Sequence, residues 1–215
     1  MNAPTLGHDL SEAPTGNMPD LPRLCVMLSG GGRTLTNIIE RTQRHPESPG
    51  ALAARVVSVI TSGPCPGVER ARAAGIKRIE TIEGVIPAPL LGSLLDRDRV
   101  DLLVLAGYLK IVRIPPGYEG RVVNIHPALL PKFGGKGMHG LRVHEAVIKA
   151  GERESGCTVH ACDATYDTGA IVLQKRCAVL HNDTPQTLAD RVFALECEAF
   201  PEAIAMVLSK VGRRA

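Results

Sequence analysis

The run Arg121-Val122-Val123-Asn124-Ile125-His126-Pro127 sets two polar side chains into an apolar segment. Residues two apart in a β-strand point to the same face, so Asn124 and His126 are expected side by side at the end of a strand. Pro127 should stop that strand. An amide and an imidazole held there can stabilise developing negative charge and move a proton. An isolated pair of this kind is more often satisfied inside a core, and residues elsewhere in the chain decide between these interpretations.

Short apolar runs alternate with helical segments before this strand. We predict strands at 24–28, 55–60, 77–81 and 100–106, and helices at 35–44, 67–74 and 90–97. Strands that alternate with helices in this way form parallel β-α-β units. The pattern therefore predicts an α/β fold, a Rossmann-like and mostly parallel sheet flanked by helices.

The pattern changes in the C-terminal half. After a helix at 144–150, two strands at 157–161 and 171–179 are joined by a polar loop, which predicts an antiparallel pair. A long helix follows at 185–207, with Thr184 as its N-cap. Residues 1–21 are rich in Pro, Gly, Ser, Asn and Asp and lack periodicity, so we predict a disordered extension there. The remainder, 22–215, is predicted to form a single domain.

Composition excludes several classes of function. The net charge is only +3, and the chain has no Trp, three Tyr and three Phe, which disfavours binding of single-stranded nucleic acid. Six cysteines without a CxxC pair disfavour a disulfide framework and a zinc site. No apolar run reaches membrane-spanning length, and the N-terminus lacks a secretory pattern. We predict a cytoplasmic protein, monomeric or weakly dimeric, that acts on small molecules and has no metal, nucleic-acid or membrane partner.

A glycine-rich turn, Ser29-Gly30-Gly31-Gly32-Arg33-Thr34, joins the first strand to the first helix. Backbone N–H groups can approach a phosphate in such a turn. The turn lacks the third spaced glycine of a dinucleotide site and the Gly-Lys-Ser/Thr of a P-loop. A phosphate site and a plain tight turn both remain open on this pattern.

Three other polar residues have a plain structural alternative. Asp167 lies in the loop between the two late strands, where aspartate commonly serves a turn. His160 alternates with Thr158 on the preceding strand, and a place in the cleft and a place in the core are equally compatible with that position. Glu196 lies among apolar residues of the last helix, where an acid is commonly a boundary residue.

Several motifs follow one another along the chain. They are the Ser-Gly-rich turn, Leu105-Ala106-Gly107-Tyr108-Leu109-Lys110-Ile111-Val112, Asn124-Ile125-His126-Pro127-Ala128-Leu129-Leu130-Pro131, Gly156-Cys157-Thr158-Val159-His160, and Asp167-x-Gly169 with its spacing to Glu196. In these motifs the chain resembles the folate-dependent formyltransferases, and specifically those that act on 5′-phosphoribosylglycinamide (GAR) in de novo purine synthesis. The similarity runs from about Leu24 to the C-terminus and implies the formyltransferase fold.

The resemblance implies a catalytic trio of Asn124, His126 and Asp167. The substrate amine attacks the formyl carbon carried on N10 of tetrahydrofolate, and negative charge develops on the formyl oxygen of a tetrahedral intermediate. An amide and an imidazolium aimed at that oxygen would stabilise it. A carboxylate near His126 would raise the pKa of the imidazole and keep it charged near neutral pH.

The resemblance also implies binding residues. Gly32, Arg33 and Thr34 match the turn that holds the GAR phosphate, and Glu196 matches the acid that holds the substrate amine. The positions that match the folate site are Leu109, Lys110, Ile111, Val112, Asn124 and Asp163. The implied co-substrate is therefore 10-formyltetrahydrofolate, with no metal.

The chain departs from the family pattern in three segments. Gly30 to Thr34 replaces the usual Gly-Asn-Gly-Ser-Asn, and the segment 83–97 lacks the family's arginine near a Phe/Tyr-Asp pair. The loop 133–140 replaces a Pro-Gly passage and is expected to be flexible, as a lid would be. The nearest alternative within the family is a transferase for an amino-sugar nucleotide. Outside it, a phosphosugar-binding module and a nicotinamide-dependent oxidoreductase fit the motifs less well.

Overall fold

The structure is a computed structural model that describes residues 21–214. Seven strands form one sheet in the order β3-β2-β1-β4-β5-β6-β7. The strands are β1 Arg23–Leu28, β2 Arg55–Thr61, β3 Arg78–Thr81, β4 Leu102–Leu105, β5 Val122–His126, β6 Glu154–Ala161 and β7 Ile171–Ala178. Strands β1 to β5 pair in parallel, and β6 and β7 pair antiparallel at one side. The predicted α/β fold with an antiparallel strand pair is confirmed.

Five helices cover the two faces of the sheet. They are α1 Arg33–Thr42, α2 Pro66–Ala73, α3 Ala88–Arg97, α4 Leu141–Lys149 and α5 Pro185–Val211. Alternate residues of β1 enter different cores: Leu24, Val26 and Leu28 pack with residues of α1, α2 and α5, whereas Cys25 and Met27 pack with α3. Both faces of the central strands are therefore buried, which explains their nearly continuous apolar sequences. No helix of residues 21–214 is both long and apolar enough to cross a membrane.

The ends of the central parallel strands create the crevice in which the site lies. Strand order reverses around β1 and β4, and ligands of open α/β sheets bind beyond the carboxyl ends of strands at such a point. The two turns are tied together: the Ser29 N–H donates to the Gly107 carbonyl over 3.0 Å, and the Leu109 N–H donates to Ser29 Oγ over 2.9 Å. The turn after β1 and the turn after β4 are thus held as one rim.

Several boundaries differ from those predicted. Helix α1 begins two residues before the predicted start, directly after Gly32, which has a φ of 78°. Helix α4 begins at Leu141, after Gly140 with a φ of 60°. Neither glycine offers a side-chain cap, so the usual start signal is absent. At Thr184 that signal is present, and its Oγ1 accepts from the Thr187 N–H over 3.2 Å.

The C-terminal pair of strands is longer at its beginning than the apolar run predicts. Strand β6 begins at Glu154 rather than Cys157, because the residues before Cys157 pair with the end of β7. The predicted disordered extension, 1–21, lies outside the described residues except for Leu21.

Candidate active site

Asn124 and His126 lie on one face at the end of β5, as the strand periodicity predicts. Both side chains reach the carboxylate of Asp167, which enters from the loop between β6 and β7. Asn124 Nδ2 donates to Asp167 Oδ1 over 3.3 Å, and His126 Nδ1 lies 3.5 Å from Asp167 Oδ2. The structure therefore brings together the three residues that the sequence suggests for the chemistry.

His160 is a fourth member of this group. Its Nδ1 lies 3.1 Å from the Ala161 carbonyl, which can only accept, so Nε2 is left to accept from Asn124 Nδ2 at 3.1 Å. Nε2 also lies 3.4 Å from Asp167 Oδ1. The side chain is buried at 3% exposure, and the open question of its position is resolved in favour of a place beside the site. We call Asn124, His126, His160 and Asp167 the β5 cluster.

A left-handed backbone carries Asp167 into the β5 cluster. Its φ is 56°, a conformation that aspartate tolerates better than most residues. The Gly135 N–H donates to Asp167 Oδ2 over 2.9 Å and fixes the carboxylate from the opposite loop. Burial by itself would raise the pKa of Asp167, but the adjacent His160 and His126 rings and the Gly135 N–H together hold that pKa below its ordinary value.

The net shift in the pKa of His126 is opposite in direction to the one that the resemblance implies. Burial lowers the pKa of the imidazole, and this outweighs the opposing effects of Asp167 and of the Phe133 carbonyl. That carbonyl lies 2.8 Å from Nε2 and can only accept, so Nε2 carries the hydrogen. Asp167 does raise the pKa of His126 as expected, but the net shift is downward because the ring is almost entirely enclosed.

The β5 cluster opens into the main cleft of the molecule, which has a volume of about 720 Å³. Arg33, Thr34 and Glu196 line the same cleft from α1 and α5, and Leu109 and Lys110 line it from the turn after β4. Gly32 does not line it directly but caps α1 immediately behind Arg33. We call Arg33, Thr34, Phe193 and Glu196 the α1–α5 wall.

Arg33 of this wall lies against α5. Its guanidinium carbon is 3.8 Å from the centre of the Phe193 ring, and Nη2 is 3.8 Å from Asp190 Oδ1. Glu196 lies on the same helix, and burial raises the pKa of its carboxyl to about 7, while Arg33 opposes that rise. The wall therefore combines a cation that lies against α5 with an acid whose pKa is about 7.

The remaining residues that the resemblance assigns to folate line a narrower recess of about 40 Å³ beside the cleft. Ile111, Val112 and Asp163 contribute to it together with Lys110 and Asn124. The Asp163 carboxylate accepts hydrogen bonds from the Thr165 N–H at 2.9 Å and from the Thr168 hydroxyl at 2.8 Å. Asp163 thus shapes its own loop in this structure.

Two residues with orphan polar atoms were not singled out by the sequence. His144 lines the cleft from α4, and its buried Nδ1 has no hydrogen-bond partner. Tyr108 lines both the cleft and the recess, and its buried hydroxyl is likewise unpaired. Tyr108 lies within the motif that runs from Leu105 to Val112, whereas His144 lies in a segment that also carries Arg142 and Glu145, so the sequence gives neither residue a distinct signal. Within residues 21–214, no group of three or more His, Cys, Asp and Glu side chains is arranged to hold a metal.

Comparison with known proteins shows which family the chain belongs to. Residues 22–204 match the family described as formyl transferase. The chain is 39% identical over 199 residues to a chloroplastic phosphoribosylglycinamide formyltransferase of Arabidopsis thaliana, covering 88% of this chain and 66% of that protein. It therefore spans just under two thirds of that relative's length.

Solved structures give the same relationship. Glycinamide ribonucleotide transformylase 1 of Symbiobacterium toebii superimposes with a TM-score of 0.77 at 33% identity, covering 90% of this chain and 92% of that one. The phosphoribosylglycinamide formyltransferase of Bacillus halodurans superimposes with a TM-score of 0.74 at 31% identity, covering 87% and 96%. The chain belongs to the formyl transferase family.

Proposed function

We propose that this formyl transferase moves the formyl group of 10-formyltetrahydrofolate to the amine of 5′-phosphoribosylglycinamide, a step of de novo purine biosynthesis. The observation that carries the proposal is the convergence of Asn124, His126 and Asp167 on one cleft whose far wall holds Arg33 and Glu196. Relatives and solved structures named for this activity support the choice of acceptor.

In this proposal, Asn124 and His126 stabilise the formyl oxygen as it becomes negative. The Asn124 amide plane is held by His160 and Asp167, so an N–H is oriented before substrate enters. A preorganised donor costs no reorganisation during the reaction, and its removal typically lowers kcat about 10²- to 10³-fold. The formyl oxygen would take the place of one of the present acceptors at Nδ2.

A bound substrate would favour the charged form of His126. Burial keeps the pKa of the free imidazole below its ordinary value. A negative oxygen arriving beside the ring raises that pKa, and Asp167 adds to the rise. The imidazolium would form by taking the proton that the attacking amine loses, and it would return a proton to N10 of tetrahydrofolate as the bond from the formyl carbon to N10 breaks, with Asp167 beside Nδ1.

The α1–α5 wall would bind GAR. The α1 N-terminus and Arg33 would hold the phosphate, with Thr34 beside it, because helix N-termini and guanidinium groups both bind phosphate oxygens. Glu196 would accept a hydrogen bond from the substrate amine. Its raised pKa leaves a large fraction of the carboxyl protonated at pH 7, so binding would be sensitive to pH in that range.

The residues around the turn after β4 fit a folate co-substrate, which supplies the activated formyl group when bound. Ile111 and Val112 give the recess apolar sides that can contact the edge of a heterocycle bound in the main cleft, and the buried Tyr108 hydroxyl lacks a partner there. Leu109, Lys110 and Asp163 would border the same group, and Asn124 would lie where the recess meets the main cleft. The cleft volume lies within the usual range for small-molecule sites.

Incubating the protein with 10-formyltetrahydrofolate and GAR while following folate absorbance tests the proposal. We expect turnover that Asn124→Ala nearly abolishes. Turnover with an amino-sugar nucleotide but none with GAR would overturn the proposed acceptor in favour of the alternative family activity. The cytoplasmic location, the monomeric or weakly dimeric state and the lack of macromolecular partners stay predictions from the sequence.

A further inference from the structure

Arg33 stands where the resembled family usually has serine, and its guanidinium is the cation of the α1–α5 wall. The side chain is 57% exposed, and a free arginine at such a position would sample many rotamers. Here the guanidinium carbon instead lies 3.8 Å from the centre of the Phe193 ring. A guanidinium stacked on an aromatic face retains its charge and its in-plane donors.

Helix α5 presents this ring to the cleft by its spacing. Gln186, Ala189, Phe193 and Glu196 recur at intervals of three and four residues and all line the cleft. Phe193 therefore lies one turn from Glu196. Asp190, on the same side of the helix, approaches Arg33 Nη2 to 3.8 Å.

This arrangement keeps two opposite charges apart. Arg33 is close enough to lower the pKa of Glu196, yet the described residues contain no ion pair or hydrogen bond between them. A direct pair would occupy both the cation needed for a phosphate and the carboxylate needed for an amine. The Phe193 ring binds the Arg33 guanidinium in competition with Glu196, and Asp190 binds the guanidinium at Nη2.

We propose that Phe193 is a positioning residue that holds the Arg33 guanidinium for the phosphate of the substrate and away from Glu196, with Asp190 as a weaker second support. The role rests on the proposed function, because it assigns the cation to a phosphate-monoester end and the acid to an amine end of one substrate. Phe193 itself donates nothing to the ligand. Its contribution is the orientation of Arg33.

The test compares Phe193→Leu, which removes the aromatic face but keeps apolar bulk, with Phe193→Tyr, which keeps the face. Cation–π contacts are worth about 0.5–2 kcal/mol, which corresponds to roughly 2- to 30-fold in affinity. We expect Phe193→Leu to raise KM for GAR within that range, with kcat and KM for 10-formyltetrahydrofolate changed less than twofold. Phe193→Tyr should restore KM for GAR.

A double-mutant cycle with Arg33→Met separates positioning from general damage to the helix. Once Arg33 is absent, Phe193→Leu should add no further increase in KM for GAR. Equal effects of Phe193→Leu in both backgrounds would overturn the proposal, because the ring would then act independently of the guanidinium.

Calorimetric binding of ribose 5-phosphate keeps this test separate from the proposed reaction. Wild type and Phe193→Tyr should bind the probe about equally, and Phe193→Leu should bind it more weakly by the same factor. No binding by wild type, or equal binding by wild type and Phe193→Leu, would overturn the role of Phe193. Absence of turnover with GAR would instead overturn the proposed function, and the ribose 5-phosphate series would still decide the positioning.

Discussion

The two sides of the cleft are built differently. In the β5 cluster, the side chains of His126, His160 and Asp167 are 5%, 3% and 9% exposed, and each contacts another member of the cluster. In the α1–α5 wall, the Arg33 side chain is 57% exposed and Glu196 has no ion pair or hydrogen bond among the described residues. The polar groups of the first side hydrogen-bond mainly to one another, whereas the second side presents a guanidinium and a carboxyl that are not paired with each other and can bind a ligand. Such a division suits a reacting oxygen on one side and a charged substrate to be captured on the other.

The largest expected effect is on the preorganised side. Asn124→Ala removes a held N–H, and we expect kcat to fall about 10²- to 10³-fold with KM for GAR changed little. Steady-state kinetics at saturating folate measure both constants. Tyr118→Phe is the control, since that buried hydroxyl bonds Asp96 and Val100 far from the cleft. A change in KM for GAR as large as that in kcat would erase the contrast between the two sides.

Glu196→Gln probes the α1–α5 wall and should act mainly on KM. Loss of one charge-assisted hydrogen bond predicts a KM for GAR raised about 10-fold or more. The pKa of about 7 predicts that kcat/KM for GAR in wild type falls as pH drops below 7, because protonation removes the carboxylate. The variant should lack this acid limb. If kcat/KM of Glu196→Gln still falls at the same pH, the titrating group is a residue other than Glu196.

Gly32→Ala tests the backbone beneath the wall. An added Cβ would lie 2.9 Å from Gly67 Cα and 3.3 Å from Arg70 Cδ, at a φ of 78°. We expect a loss of unfolding free energy of about 1–3 kcal/mol, measured by urea denaturation. Gly30→Ala is the matched control, because a Cβ there has no neighbour within 4 Å. Equal stability of the two variants would mean that the turn relaxes at no cost.

The smallest effect concerns the buried histidines. Burial lowers the pKa of both His126 and His144, so the unfolded chain binds protons more readily than the folded chain. The stabilising effect of keeping these rings neutral is present above about pH 6.5 and is lost as pH falls through the folded-state pKa values. Unfolding free energy should fall between pH 7 and 5 by at most about 1.4 kcal/mol per pH unit for each histidine.

His144→Gln should make that pH dependence shallower, and urea denaturation at several pH values measures it. The result sharpens the comparison, because His144 borders the cleft outside the β5 cluster. An unchanged slope in the variant would leave His126 as the source of the dependence.

Strands and fold were readable from the sequence because β1, β2 and β5 are largely apolar runs followed within two residues by Gly or Pro. The starts of α1 and α4 were misplaced because Gly32 and Gly140 precede them in place of a capping side chain. Sequence spacing suggested that Asn124 and His126 share a face. It could not supply the left-handed turn at Asp167 or the Gly135 N–H that brings the carboxylate to them.

The direction of the pKa shift of His126 could not be predicted from the sequence for a related reason. The pKa of His126 depends on a balance between burial, which is a property of the whole fold, and two acceptors: the Phe133 carbonyl, seven residues along the chain, and Asp167 of a later loop. The sequence motif indicates which residues lie near His126, but it does not indicate how deeply the imidazole is buried. His144 was missed because its approach to the cleft depends on where α4 begins.

The contact between Phe133 and His126 has a consequence for how the loop 133–140 can change. The Phe133 carbonyl accepts from the imidazole Nε2 at 2.8 Å, and two residues later Gly135 donates to Asp167. An insertion or deletion within 133–135 would shift both contacts together and rotate the ring and the carboxylate. Variation in length is therefore better tolerated after Gly135, so insertions or deletions from Lys136 onward can reshape the border of the cleft without displacing His126 or Asp167.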